Sequence, residues 1–111
     1  MAIVMIDLQD LLNDRVDTLI GRPRGEAARQ HYHVDALDGS SDFIEIAAPK
    51  TLRSITPSFV QGMFGPSVRT LGGKEAFLKR YSLSRLSEGL RYDILEGIDR
   101  VMISRSVAGS H

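Results

Sequence analysis

Apolar residues recur along this chain in patterned stretches, and each stretch predicts an element. Ile3 to Leu8 is a short apolar run that reads as a strand. Leu8, Leu11 and Leu12 then take up helical spacing, which predicts one or two helical turns before a turn at Asn13-Asp14. Val16, Leu19 and Ile20 lead into Gly21-Arg22-Pro23-Arg24-Gly25, a stretch that breaks regular structure and suits Pro23 to the first turn of a helix. From Gly25 to Leu37 the pattern is helical. Ala27, His31, Val34 and Leu37 share one face, with Glu26, Arg29, Gln30 and Asp35 mostly off it. Asp38-Gly39-Ser40-Ser41 ends that helix.

Asp42 to Ala48 predicts a second strand, carried by Phe43, Ile44 and Ile46 and stopped by Pro49. Lys50 to Ile55 reads as a connector with two apolar residues, Leu52 and Ile55. Thr56-Pro57-Ser58-Phe59 is the best-defined helix start: the Thr56 hydroxyl can accept from a free backbone N–H, and Pro57 suits the next position. Val60, Phe64, Val68 and Leu71 continue as one stripe, with a kink or break expected near Gly65-Pro66 and an end at Gly72-Gly73. Phe77, Lys79, Tyr81 and Leu83 alternate with Leu78, Arg80 and Ser82, which predicts a third strand over Phe77 to Leu83. Ser84 or Ser87 caps a last helix in which Leu86, Leu90, Ile94, Ile98 and Met102 recur every four residues and Glu96 can pair with Arg100. The order β, α, β, α, β, α predicts an α/β domain over residues 1–106, a small mixed or parallel β-sheet of three to four strands with helices packed on it, followed by a loose tail at Val107–His111. A helix between two strands favours a parallel, right-handed crossover.

Composition narrows the function classes. At 111 residues the chain has room for one domain. It has no cysteine, hence no disulfide and no thiolate metal site, in keeping with a reducing compartment. Fourteen basic residues balance fourteen acidic ones, so no net field draws the protein to nucleic acid or an anionic membrane. The N-terminus carries no basic leader, and no segment approaches the ~20 apolar residues that span a bilayer. A cytoplasmic location without a membrane or nucleic-acid partner is the expectation. With three Tyr, four Phe and no Trp, a stacking platform for single-stranded bases is not expected either.

Candidate chemistry concentrates at two turns. The Thr56 helix start presents backbone N–H groups and a partial positive charge, and Ser54, Thr56 and Ser58 supply three hydroxyls within five residues. A phosphate on Ser58 or Thr56 would be stabilised there. The alternative is that Thr56 is a structural cap and nothing more. Arg22-Pro23-Arg24-Gly25 places two guanidinium groups beside another helix start, where they could hold an anion. His31-Tyr32-His33 has the wrong spacing for a zinc helix, His111 lies at the terminus, and no metal or cofactor is expected. There is no phosphate-binding glycine loop and no nucleophile elbow, and Asp42, Glu45 and Glu75 are too scattered for paired acid–base work. The chain is therefore expected not to be an enzyme.

The segment Ser54-Ile55-Thr56-Pro57-Ser58-Phe59-Val60-Gln61-Gly62-Met63-Phe64-Gly65 resembles the signature of bacterial STAS-like domains, small proteins mostly of unknown function related to anti-sigma-factor antagonists. Arg22-Pro23-Arg24-Gly25 looks like the family's arginine-x-x-glycine turn, and Phe77 to Leu83 with the long helix after it looks like its C-terminal third. The resemblance implies an α/β sheet with helices and a role in protein–protein regulation. In the antagonist relatives a partner kinase phosphorylates a serine at the corresponding helix start. Here that position is Pro57, so Ser58 or Thr56 would have to serve, and Ala47-Ala48-Pro49-Lys50 lacks the family's acidic connector.

The reading that follows is a non-enzymatic regulatory domain. It would dock a protein partner, in the resemblance an ATP-binding kinase-like or anti-sigma-type regulator, through Thr56, Ser58, Arg22, Arg24 and Gly25. A homodimer is the further partner to consider, signalled by apolar exposure on the Val60 or Leu90 helices. The rival is a small anion- or nucleotide-binding module using the same helix start with Arg22 and Arg24. A hydrolase or transferase and a DNA-linked regulator are weaker rivals.

Overall fold

The computed structural model describes residues 2–12 and 17–109, the last six of these as backbone only. The turn expected at Asn13-Asp14 lies outside the described residues. The fold is α/β: the described residues form a three-stranded parallel sheet, a separate two-stranded parallel sheet and five α-helices. Strand β1 (Ile3–Asp7) runs into a short 3-10 helix, Leu8–Leu11, and β2 (Thr18–Leu19) precedes α1 (Arg22–His31) and α2 (Val34–Asp38). Next come β3 (Phe43–Ala47), β4 (Ser54–Ile55), α3 (Pro57–Leu71), α4 (Lys74–Arg80), β5 (Tyr81–Ser82) and α5 (Glu88–Gly109).

In the main sheet β3 lies between β1 and β5, and both pairings are parallel, with Ile3 opposite Phe43 and Ile44 opposite Tyr81. The smaller sheet pairs Thr18 with Ser54 and Leu19 with Ile55. The alternation of a strand decides which side of the main sheet is dry. Ile6, Ile44, Ile46 and Tyr81 point into the core, whereas Ile3 is 70% and Met5 49% exposed on the opposite face. The helices supply the rest of the core. Phe59, Val60, Met63, Phe64 and Val68 from α3 meet Leu90, Ile94 and Ile98 from α5. Phe77 stacks on Tyr81 at 4.4 Å, and Phe64 meets both rings edge-on.

Several expectations need correcting. The first helix starts at Arg22 instead of Gly25, with Pro23 in its first turn, and it does not run unbroken to Leu37. His33 adopts a left-handed conformation (φ 53°) and divides it into α1 and α2. The buried face of α1 is Gly25, Ala28 and Arg29, while Ala27 and His31 are exposed, so the expected apolar stripe lies about one residue away from the true contact face. Pro66 neither breaks nor ends α3. The helix is one unit of 15 residues, clamped by α1, α2, α4 and α5, and that packing outweighs the single backbone bond proline cannot make. The third strand shrinks to Tyr81–Ser82, because Lys74 to Arg80 coil into α4, which sets Phe77 one turn from Tyr81. Lys50 to Ile55 is not merely a connector, since its end forms β4. Ser87, not Ser84, accepts from a helix N–H, that of Leu90 at 3.3 Å, and α5 continues through Val107 to Gly109, into the expected tail.

The tightest contact in the fold is the crossing of α1 and α3. A Cβ on Gly25 would strike the Phe59 carbonyl and lie 2.8 Å from the Met63 nitrogen. One on Gly62 would strike the Arg22 carbonyl and lie 3.0 Å from the Glu26 nitrogen. The two backbones therefore touch directly, which only glycine at both positions permits.

Candidate functional site

The two turns singled out in the sequence meet in space. Strand β2 leads into α1 and strand β4 into α3. Because β2 and β4 pair in parallel, the two helix starts emerge side by side. The ladder extends past its last residues: the Thr56 N–H donates to Leu19 O at 2.9 Å, and the Gly21 N–H donates to Thr56 Oγ1 at 3.2 Å. Thr56 and Ser58 lie at this junction, but the two arginines of α1 diverge from it: Arg24 lines the hollow that Phe59 floors, whereas Arg22 lines another with Glu26, Gln61 and Gly62. Gly25 belongs to neither. It is buried in the crossing with α3, a correction forced by the contact of the two backbones.

Hydrogen-bond accounting separates the two hydroxyls. Thr56 Oγ1 accepts from the Gly21 N–H at 3.2 Å and from the Phe59 N–H at 3.3 Å, which uses both lone pairs. Its own proton therefore goes to Ser58 Oγ, 3.1 Å away. Thr56 is the structural cap, and Ser58 keeps an uncommitted proton. The backbone donors of this helix start are also mostly spent. Pro57 has no N–H, that of Phe59 is capped by Thr56, and that of Val60 is bonded to Thr56 O at 3.2 Å, leaving Ser58 N–H. Arg22 is exposed and approaches Glu26 at 3.7 Å, whereas Arg24 has no ion-pair partner among the described residues.

Beside this junction opens a cleft of about 320 Å3 that the sequence reading missed. Its floor is apolar, made by Leu11, Leu19, Ala28 and Phe59. Its rim is polar: Arg24 and His31 stand on the α1 side and Asp10 on the 3-10 helix. The cleft sits past the carboxyl end of β1, where open α/β sheets place their ligands. Nothing in local sequence spacing signals it, because its walls come from four separate elements: the 3-10 helix, β2, α1 and α3. Tyr32 stands behind it, donating to Asp7 O at 2.6 Å. Its burial, and then the carboxylates of Asp10 and Asp7, push its pKa above the usual tyrosine value.

A second polar cluster lies inside the fold. Arg29, expected on a solvent face, is buried. Its Nη1 donates to Met63 O at 2.8 Å and Ser67 Oγ at 2.7 Å, and its Nη2 donates to Asp38 Oδ2 at 3.0 Å. Its outer edge reaches Asp35 through Nε at 2.8 Å. Ser67 Oγ and Tyr81 Oη each donate to a different Asp38 oxygen at 2.5 Å. Burial first, then the bond to the Asp38 carboxylate, raise the Tyr81 pKa. Among the described residues no buried side-chain polar atom lacks a partner, so the buried part of this cluster is satisfied from within the chain.

Among the described residues no three metal-ligating side chains converge, and no helix is long and apolar enough to cross a membrane. Comparison with protein-family models, with curated proteins and with solved structures finds no match to this chain.

Proposed function

We propose that this chain is a non-enzymatic regulatory domain that docks a protein partner over the junction of the α1 and α3 helix starts. The observation that carries the reading is the Gly21–Thr56 hydrogen bond at 3.2 Å, which joins the arginine turn to the hydroxyl turn beside an apolar cleft. An apolar floor with a polar rim is the anatomy of an anchor pocket in a protein interface. The cleft is open along one side, and a small ligand bound there would stay largely wet, whereas a partner's side chain brings its own cover. Within this reading Ser58 is the hydroxyl that a partner kinase would modify, in line with the STAS-like resemblance. A phosphate there would add negative charge at the α3 start, beside the Thr56 cap, and so reset the docking surface.

Anion or nucleotide binding at the same turn is the second reading. It is disfavoured by the single backbone donor, Ser58 N–H, left at the α3 start and by the pairing of Arg22 with Glu26. The test is affinity capture from the source lysate with wild type, Ser58→Glu and Ala27→Arg, the last placing a bulky cation at the exposed rim of the cleft. Capture by wild type of a protein that both variants lose by about tenfold or more supports the surface. Equal recovery by all three removes it.

A further inference from the structure

Among the described residues the outer edge of β1 is open, and its chemistry is self-complementary. In the parallel ladder with β3 the Phe43 N–H donates to Ala2 O at 2.9 Å, so the even-numbered residues of β1 turn their backbone groups toward β3. The odd-numbered ones, Ile3, Met5 and Asp7, turn theirs outward. Tyr32 takes the Asp7 carbonyl and closes that end. The N–H and C=O groups of Ile3 and Met5 have no hydrogen-bond partner among the described residues, on residues that are 70% and 49% exposed. Edge strands of monomers are ordinarily blunted by a charge, a proline or a bulge. Ala2 to Ile6 carry none of these.

We infer that a second copy of this chain pairs with this edge, antiparallel and about a two-fold axis through Val4, joining the two main sheets into one. Register selects this arrangement. Setting Ile3 opposite Met5 of the second copy, and Val4 opposite Val4, uses every open N–H and C=O of Ile3 and Met5 on both chains, because outward-facing residues then form the hydrogen-bonded pairs. A shift by two residues toward the C-terminus sets Ile3 opposite Asp7, whose carbonyl Tyr32 already holds. The same register sets the exposed side chains of Ile3 and Met5 against each other across the new pair. On a two-fold axis every charge faces its own image, and the uncharged run from Ala2 to Ile6 offers none to repel. A strand this short buries little area, so the association is weak and concentration-dependent.

The geometry supplies its own probe, since the chain has no cysteine. Across the two-fold axis the Val4 Cα atoms would be about 4.5 Å apart, within disulfide reach, whereas those of Ile3 would be roughly 8 Å apart, beyond it. Oxidation of Val4→Cys at high protein concentration is expected to yield covalent dimer, and Ile3→Cys is expected to remain monomeric. In sedimentation equilibrium the wild type should rise toward dimer mass with concentration. Met5→Pro should weaken this by about tenfold or more, because it deletes an outward N–H and no bond to β3. Circular dichroism confirms that Met5→Pro is folded, and Met5→Lys, at an exposed site, serves in its place if it is not. A wild type that stays monomeric into the millimolar range overturns the inference. So does a dimer that survives in the folded Met5 variant, or cross-linking of Ile3→Cys in preference to Val4→Cys.

Discussion

Two polar clusters in this molecule use the same kinds of group and end in opposite states. Around Asp38, an arginine, a serine and a tyrosine converge in the core, and every donor and acceptor is answered from within the chain. Around Thr56, two hydroxyls and a glycine N–H converge at the surface, and the chain of bonds stops one member short, at the Ser58 proton. In low dielectric an unanswered group is costly, so an interior network must close, while at the surface water answers for it until a partner replaces the water. Closure marks the first cluster as scaffold, and the loose end is what the proposed docking reading puts to use in the second.

Substitutions test this contrast in order of size. Arg29→Met removes the cation beside a buried carboxylate while leaving Asp38 charged, and is expected to lower unfolding free energy by about 3–5 kcal/mol in urea melts. Asp35→Ala, which breaks the other ion pair of Arg29, should cost about 1 kcal/mol or less, because the Asp35 side chain is 86% exposed. Near-equal losses for the two would show that the cluster is not closed inward on Asp38.

Tyr81→Phe is the next largest, about 1–3 kcal/mol at neutral pH for the lost bond to Asp38. It also changes the alkaline limb. The folded state holds the Tyr81 proton more tightly than the unfolded chain does, so stability is complete below the ordinary tyrosine pKa near 10 and falls as pH rises above it. Thermal midpoints between pH 8 and 11 should fall less steeply in Tyr81→Phe than in wild type. Some slope should persist, because the Tyr32 pKa is raised in the same direction.

At the surface cluster, Thr56→Ala loses the cap and leaves the Gly21 N–H without its acceptor, for about 1–2 kcal/mol. Ser58→Ala should lie within about 0.5 kcal/mol of wild type, the size of an ordinary surface change. A Ser58→Ala loss as large as that of Thr56→Ala would make Ser58 part of the scaffold and erase the difference between the clusters.

The elements with strong local signals were readable before the structure. Strands β1 and β3, the Thr56 cap and the four-residue repeat of α5 each announce themselves within a few residues. What escaped reading depends on distant partners. Strands β2 and β4 have two residues each, too short to alternate, and exist because they pair with one another. Arg29 looks like a surface residue until Asp38, Ser67 and the Met63 carbonyl are brought around it from two other helices. Phe77 to Tyr81 fits an alternating pattern equally well, and only the stacking of the two rings shows that a helical turn separates them. Of the candidate site, the two turns were legible and their adjacency was not, because it rests on the β2–β4 pairing. The cleft, with walls from four elements, left no mark in the spacing at all.

The close approach of the α1 and α3 backbones at Gly25 and Gly62 has a mechanical consequence. Side chains between packed helices normally act as cushions, changing rotamer to absorb small shifts. Here bare main chain bears on bare main chain a few residues inside each helix start, so no cushion lies between them. A displacement of the first turn of α3, whatever event at Ser58 produces it, is handed to the first turn of α1 without slack. At these two positions the opening turns of α1 and α3 are braced against each other by main chain alone.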